Sequence, residues 1–341
     1  MHAIVDDIIR RLPVPFCHAE PKEITLGESG CLVYRLLVRD ETAVLKVSSR
    51  QLMPDYLRLG HPQSDIAEYM FYTQLLPRLR TPAPELLDSG ELESGANYIL
   101  LEDVARHHVI PALGHRWTTA EMMAVIETYA ALHGRAAQAL TNDTSLWWLK
   151  QDPRREFRAE QALTLLYALY DNAWTRSLVA PVVLHPDLEK VLSRVLSTLA
   201  HLPLTLLHND FYPLNIGLRR SAPGQAVLMD YQLIGLGPGV LDILNIGLLH
   251  EHPSFRQVDR DAVLGHYVRR LSAHTGEGAD MAEFRRIAPW ATMLGWADYL
   301  PRFVRAMQRD NQGTEPWNAW LQATLTRAMA EWAQALRQRQ T

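Results

Sequence analysis

Apolar and polar positions alternate, or run apolar in short stretches, through the first hundred of the 341 residues. "EITLGESGCLVYRLLVRD" and "TAVLKVSS" read as strands joined by a turn at Asp40-Glu41. "SDIAEYMFYTQLLPRL" switches to helical spacing, with Ser64 as N-cap and Ile66, Tyr69, Met70, Thr73 and Leu76 along one face. "ANYILLEDVA" is a short apolar run ending in an acidic pair, the pattern of a strand leaving a sheet. From residue 118 the spacing is mostly helical, over 118–140 and then roughly 153–170, 186–201, 258–274, 281–309 and 317–337. The exception is "TLLHNDFYPLNIGLRRSAPGQAVLMDYQLIG", where strand-like pieces flank the hairpin signal "SAPGQ". No internal repeat or low-complexity tract interrupts this order. The chain therefore has a strand-rich front, a helical back and one β-like insertion that carries its densest polar chemistry.

Composition narrows the class. With 48% apolar and 21% charged residues, the chain can bury a sizeable core in one large domain or two lobes. A net charge of −4 gives no basic footprint for nucleic acid and no polybasic membrane patch. "MHAIVDDIIRRLPVP" sets Asp6 and Asp7 inside its apolar run, so it reads as neither a signal peptide nor a spanning helix. Cys17 and Cys31 are too few for a disulfide framework and suit a reducing compartment. The expectation is a soluble cytoplasmic protein with no nucleic-acid or membrane partner.

The insertion raises the chemical question. Asp210 and Asn215 stand five apart between apolar flanks, and Asp230 ends the apolar run "AVLMD". A carboxylate at a strand's end projects beyond the ladder that holds its backbone. Two carboxylates and an amide oxygen make an all-oxygen set, which suits a hard cation such as Mg²⁺. Such an ion usually keeps one or two carboxylates plus substrate phosphates, the arrangement of phosphoryl transfer.

The pattern H-x-D-x₄-N followed by D-[FYW]-x resembles the protein-kinase-like superfamily. More closely it is similar to the aminoglycoside phosphotransferase and choline kinase branch, which phosphorylates small molecules. "GPGVLDI", with Asp242, resembles the G-x-P-x-x-D-L stretch of that branch. "YILLEDVA" is similar to its hinge, "ALHGR" to its L-x-x-L-H helix and "GESGCLVYRL" to its phosphate-covering turn. "AEYMFY" and "DYQ" lean toward choline-kinase-like and ecdysteroid-kinase-like members. The resemblance spans about residues 24 to 246.

The resemblance implies an α+β, two-lobed fold: a small antiparallel-sheet lobe over 1–102 that binds nucleotide and a larger, mostly helical lobe over 103–341 that binds the acceptor. It implies ATP and Mg²⁺ as cofactors and a small-molecule hydroxyl as acceptor. Asp210 would orient that hydroxyl and take its proton, where an ordinary Asp would only cap a turn. Asn215 and Asp230 would hold the metal. Asp242 reads as a brace for the catalytic loop, and His208 as a buried scaffold residue. Lys46, in the apolar strand "AVLKV", needs a counter-ion because an uncompensated buried charge is costly. Glu68 is the expected partner, Asp65 the competitor, and nucleotide phosphates the expected ligand. Ser29 and Gly30 would offer hydroxyl and N–H groups to a phosphate. Backbone groups of Glu102 and Val104 would read the adenine edge.

Two departures matter. Asn209 replaces the usual Gly between His and Asp, and Asn tolerates the left-handed region that Gly there would adopt. The short interval from Asp230 to Asp242 leaves no room for a phosphorylatable activation loop, which disfavours a protein kinase. A pseudokinase is disfavoured because Lys46, Asp210, Asn215 and Asp230 are all present. On the acceptor side, residues up to 102 carry 15 acids and 10 bases, a net of −5, and the remainder carries a net of +1. A near-neutral back does not suggest a polycationic acceptor. Trp296 and Asp298, in "GWADYLPRF", are the acceptor-side candidates.

Overall fold

A computed structural model describes residues 3–24, 30–54, 63–112, 114–140, 146, 148–149, 159–171, 173, 175–201, 204–222, 224–243 and 253–276, with part of 326–337. In chain order the principal elements are α1 (Ala3–Arg11), β1 (Glu20–Glu23), β2 (Leu32–Val38), β3 (Glu41–Ser48) and α2 (Ser64–Met70). A π-helical turn (Phe71–Leu75) and α3 (Leu76–Leu79) continue α2. Then come β4 (Leu86–Glu91), β5 (Asn97–Glu102), β6 (His108–Val109), α4 (Thr119–Ala139), α5 (Ala159–Asp171), α6 (Arg176–Val183) and α7 (Leu188–His201). The last are β7 (Thr205–Leu207), β8 (Ile216–Arg219), β9 (Ala226–Leu228), β10 (Gly235–Gly237) and α8 (Arg260–Thr275). Among the described residues, no helix is long and apolar enough to cross a membrane.

The chain divides into two compact units. The first takes Met1–Leu113, Gln138–Lys150 and Tyr212–Ile234. Its main sheet is antiparallel, in the order β1-β2-β3-β5-β4. One face is apolar because strand residues alternate sides. Tyr34 and Leu36 of β2, Ala43, Leu45 and Val47 of β3, and Leu100 of β5 lie on that face. Val5, Ile8, Ile9 and Leu12 of α1 close it. Each fully buried aliphatic side chain there is worth about 1.5–3 kcal/mol. The turn between β2 and β3 falls one residue earlier than expected, at Arg39-Asp40: Arg39 has φ 54° and Glu41 already pairs with Val38 as the first residue of β3. A second small sheet, β6-β8-β9, carries the expected "SAPGQ" hairpin.

Two expectations for the 64–79 helix are corrected. Ser64 is its first helical residue, not its N-cap; it is buried and its hydroxyl points to Met53 Sδ. The buried face is Ala67, Glu68, Phe71, Tyr72, Leu75 and Leu79, while Ile66, Tyr69, Met70, Thr73 and Leu76 are half-buried. The reason is electrostatic. Glu68 turns inward to Lys46, and a helical stripe that includes Glu68 must also contain its i+3, i+4 and i+7 neighbours.

The second unit takes Gly114–Ala137, Gln151–Phe211 and Gly235–Thr341. Helix α4 starts on a reciprocal cap. Glu121 N–H donates to Thr118 Oγ1, and the Thr118 N–H and hydroxyl both reach Glu121 Oε2. Its interior is nearly all buried, from Met122 through Tyr129 to Ala136. Helix α8 is bounded by Asp259, which accepts from Ala262 N–H, and by left-handed Gly276. Strands β7 and β10 pair antiparallel. Helix α6 has no counterpart in the sequence reading, because Pro181 hid a short, apolar helix. The helix expected over 281–309 lies outside the described residues.

Candidate active site

Alternation along β3 decides where Lys46 points. Ala43, Leu45 and Val47 fill the core beneath α1, so Val44, Lys46 and Ser48 occupy the opposite face. Lys46 is buried there, and its ammonium meets two carboxylates. Nζ donates to Asp230 Oδ1 at 2.8 Å and contacts Glu68 Oε2. Burial works against the charged amine, but Asp230 and Glu68 outweigh it and hold the Lys46 pKa above the ordinary lysine value. Glu68 is raised, because burial and the Asp230 charge together exceed what Lys46 returns. Asp65, the rival partner, instead offers its backbone carbonyl to the Asn97 side chain.

Glu68 is held from a second side. Tyr231 N–H donates to Glu68 Oε1 at 3.2 Å, and the Tyr231 ring stacks on Phe71 with centroids 3.7 Å apart. Phe71 opens the π-helical turn, a local widening often found near functional groups. Neither the turn nor the stacking was visible as periodicity. The "Y" of "DYQ" was the available signal.

Asp230 and Asn215 share one end of the β8–β9 hairpin. Ile216 pairs with Leu228, and Met229 N–H donates to the Asn215 carbonyl at 2.8 Å. Asp230 then adopts a left-handed conformation, φ 64° and ψ 73°, which lifts its side chain out of the strand direction. Its carboxyl group is 28% exposed, against 4% for Glu68. An amide and a partly exposed carboxylate offer oxygen ligands that fit a hard divalent cation. They cannot complete its shell alone, which matches Mg²⁺ taking its other ligands from phosphates and water. Among the described residues, no group of three or more His, Cys, Asp or Glu forms a metal cage.

The turn expected to cover a phosphate is described only at its end. Ser29 lies outside the described residues. Gly30 has φ 76°, and a Cβ there would stand 2.4 Å from the Leu52 carbonyl oxygen, so only glycine fits. Next to it, Cys31 Sγ lies 2.9 Å from Ser48 Oγ, on the Lys46 face of β3. Burial pushes this thiol up to about 11, although Lys46 draws it down. Sequence reasoning gave Cys31 no role. Glu102 closes β5 opposite Ala43, and Val104 is buried in the short 3₁₀ turn that follows. Asp103 caps that turn through Ala105 N–H and pairs with Arg35.

Asp210 belongs to the second unit, in the loop after β7. Asn209, just before it, has φ 62°, the left-handed conformation expected for a residue standing in for glycine. Asp242 supports this loop as the sequence reading expected of a brace. Its Oδ2 accepts from His208 N–H at 2.6 Å and its Oδ1 from Asn209 N–H at 2.8 Å. Burial pushes Asp242 upward, but the hydrogen bond from His133, the electrostatic attraction of the His133 and His208 rings, and the His208 N–H hold it below the usual carboxylate range. His208 is fully buried, and its Nδ1 accepts from Asp210 N–H at 3.3 Å. The acceptor-side candidates Trp296 and Asp298 lie outside the described residues.

Known proteins share this architecture. A candidate aminoglycoside phosphotransferase from Ralstonia eutropha superposes with a TM-score of 0.60 at 14% identity, covering 97% of each chain. A choline kinase from Streptococcus pneumoniae gives 0.56 at 13%, covering 96% of this chain and 98% of its own. An aminoglycoside phosphotransferase solved with GDP and kanamycin gives 0.55 at 13%, covering 92% and 93%. No curated protein sequence matches the chain. The structural likenesses establish the fold as α+β and protein-kinase-like, with a small antiparallel-sheet lobe and a larger, mostly helical lobe. With the phosphotransferase enzyme family model matching residues 23–290, the chain belongs to that family.

Proposed function

We propose that this protein transfers the γ-phosphate of ATP to a hydroxyl of a small molecule. The observation that carries the reading is the Lys46 ammonium clasped by Glu68 and Asp230, with Asn215 held beside Asp230 by the β8–β9 register. Two carboxylates on one ammonium leave an excess of negative charge that favours a further cation. Lys46 steadies the nucleotide phosphates, and Glu68 keeps Lys46 extended toward them. Asn215 and Asp230 hold Mg²⁺ through oxygen. Bound there, the ion would neutralise charge on the phosphates. Gly30, with Ser29, lets the backbone approach a phosphate, and the backbone at Glu102 and Val104 meets the adenine edge. Asp210 orients the acceptor hydroxyl and takes its proton as that oxygen bonds to the γ-phosphorus and the bond to ADP breaks. We place the nucleotide-binding part before residue 103 and the acceptor-binding part after it.

Neighbouring folds act on choline or bind kanamycin. The net charge of +1 beyond residue 102 favours an acceptor that is not strongly polycationic. The test is a panel of hydroxylated small molecules incubated with Mg-ATP, read by mass spectrometry for a phosphate gain, beside wild-type and Asp210→Asn protein. A product with the wild type alone supports the reading. Nucleotide binding without any transfer points to a pseudokinase, and transfer to a generic protein acceptor points to a protein kinase.

A further inference from the structure

The brace on the Asp210 loop has its own support inside the second unit. His133, on α4, places Nε2 3.1 Å from Asp242 Oδ2 and Nδ1 2.8 Å from the Tyr267 hydroxyl of α8. His133 is 0% exposed, and Tyr267 and Asp242 are each 1% exposed. The His133 carbonyl accepts from Thr205 Oγ1 of β7 at 2.6 Å, so the imidazole's backbone is tied to the strand that leads into the loop. Gly239 leaves the space for this arrangement, since a Cβ there would lie 2.7 Å from both His133 Nδ1 and the Tyr267 hydroxyl.

The proton positions follow from donor and acceptor chemistry. An ionised Asp242 only accepts, so His133 Nε2 carries the hydrogen. Burial holds Tyr267 well above the ordinary tyrosine value, so its hydroxyl keeps its proton and donates to Nδ1. Asp242 then receives three donors: His133 Nε2–H and His208 N–H on Oδ2, and Asn209 N–H on Oδ1. With those donors in place, the left-handed backbone at Asn209 has a partner that compensates its intrinsic cost.

We propose that Tyr267 is a positioning residue for phosphoryl transfer, acting through His133. Tyr267 fixes His133 as its Nε2–H tautomer, His133 fixes the Asp242 carboxylate, and Asp242 locks the His208–Asn209 backbone so that Asp210 is presented in one orientation. This rests on the reading of Asp210 given above.

One label reads the chain of contacts. In full-length protein carrying [¹⁵N]histidine, ring nitrogen shifts report the His133 tautomer and the backbone amide of His208 reports loop protection. Tyr267→Phe is expected to mix the His133 tautomers and to speed exchange of the His208 amide by about 10-fold, the scale of one lost hydrogen bond. ATP turnover should fall about 5–20-fold with the AMP-PNP dissociation constant unchanged. His133→Gln, whose side-chain amide can donate to Asp242 without a phenol, should recover most turnover relative to His133→Ala. Adding Tyr267→Phe to His133→Gln should change nothing further. A wild-type His133 protonated on Nδ1, or a Tyr267→Phe protein with normal His208 protection and turnover, overturns the proposal, as does additivity in the double variant. Loss of turnover in Asp210→Asn with none in Tyr267→Phe removes this proposal alone. Unchanged turnover in Asp210→Asn removes the reading of Asp210, and this proposal with it.

Discussion

Two buried polar clusters sit beside left-handed residues, and they solve the same electrostatic problem in opposite ways. In the first unit, Lys46 neutralises only one of the two carboxylates that touch it, and Asp230 stays partly exposed. In the second, Asp242 meets no ammonium or guanidinium among the described residues; imidazole and backbone N–H groups satisfy it, and it is almost completely buried. A direct ion pair with an unbalanced partner can exchange that partner for an incoming ligand. A carboxylate saturated by fixed dipoles has little to exchange and serves to hold geometry. The first cluster suits binding and the second suits alignment.

That contrast can be broken most sharply at the loop the second cluster holds. Asp210→Asn should lower phosphotransfer about 10²–10⁴-fold while calorimetry shows nucleotide affinity nearly intact. An Asp210→Asn protein that no longer binds nucleotide would mean the two clusters are not separate in function. Next in size is Lys46→Met, which strands two carboxylates in a buried place. Urea unfolding should show a loss of about 3–5 kcal/mol, and Mg-dependent nucleotide binding should vanish. Asp242→Asn should cost less, about 1.5–3 kcal/mol, because the amide keeps one acceptor for the loop N–H groups.

pH separates the clusters by sign. Asp242 has a depressed folded pKa, so its stabilisation is present above the unfolded value, near 4, and is lost as pH falls through the folded one. Glu68 has a raised folded pKa, so its contribution is full below the unfolded value and is lost as pH rises through the folded one. Thermal melts from pH 3 to 7 should therefore show a shallower acid-side decline in Asp242→Asn, and the decline above about pH 4 should be relieved in Glu68→Gln. Matching pH profiles for the two variants would erase the distinction. The smallest expected effect is at Cys31. Its thiol, held near 11, should alkylate slowly at pH 7, and Cys31→Ala should change stability by roughly 1 kcal/mol or less.

Much of the site was legible residue by residue. A lysine in an apolar strand must have a counter-ion, and Glu68 was nameable because it follows one helix later. Asp230 could be read from its place at a strand's end, where a carboxylate projects beyond the ladder, and Asn209 from its tolerance of left-handed backbone in place of glycine. The helix face at 64–79 was misread because periodicity counts apolar residues, and the true stripe is anchored by a charged one. His133 and Tyr267 were invisible as a pair. They are separated by 134 positions; "ALHGR" marked His133 only as part of a family motif, and Tyr267 alone looks like ordinary helix interior.

The sequence by itself determined the strand-rich front, the helical back and the types of side chain available for phosphate and metal chemistry, because alternation, helical spacing and ligand preference are local properties. Only the tertiary structure decided that Lys46 meets Asp230 as well as Glu68, that the β8–β9 register sets Asn215 beside Asp230, and that Asp242 is satisfied by dipoles instead of a cation. Those outcomes depend on which distant groups are brought out of water together, and the energy of a buried charge is set by its neighbours in space.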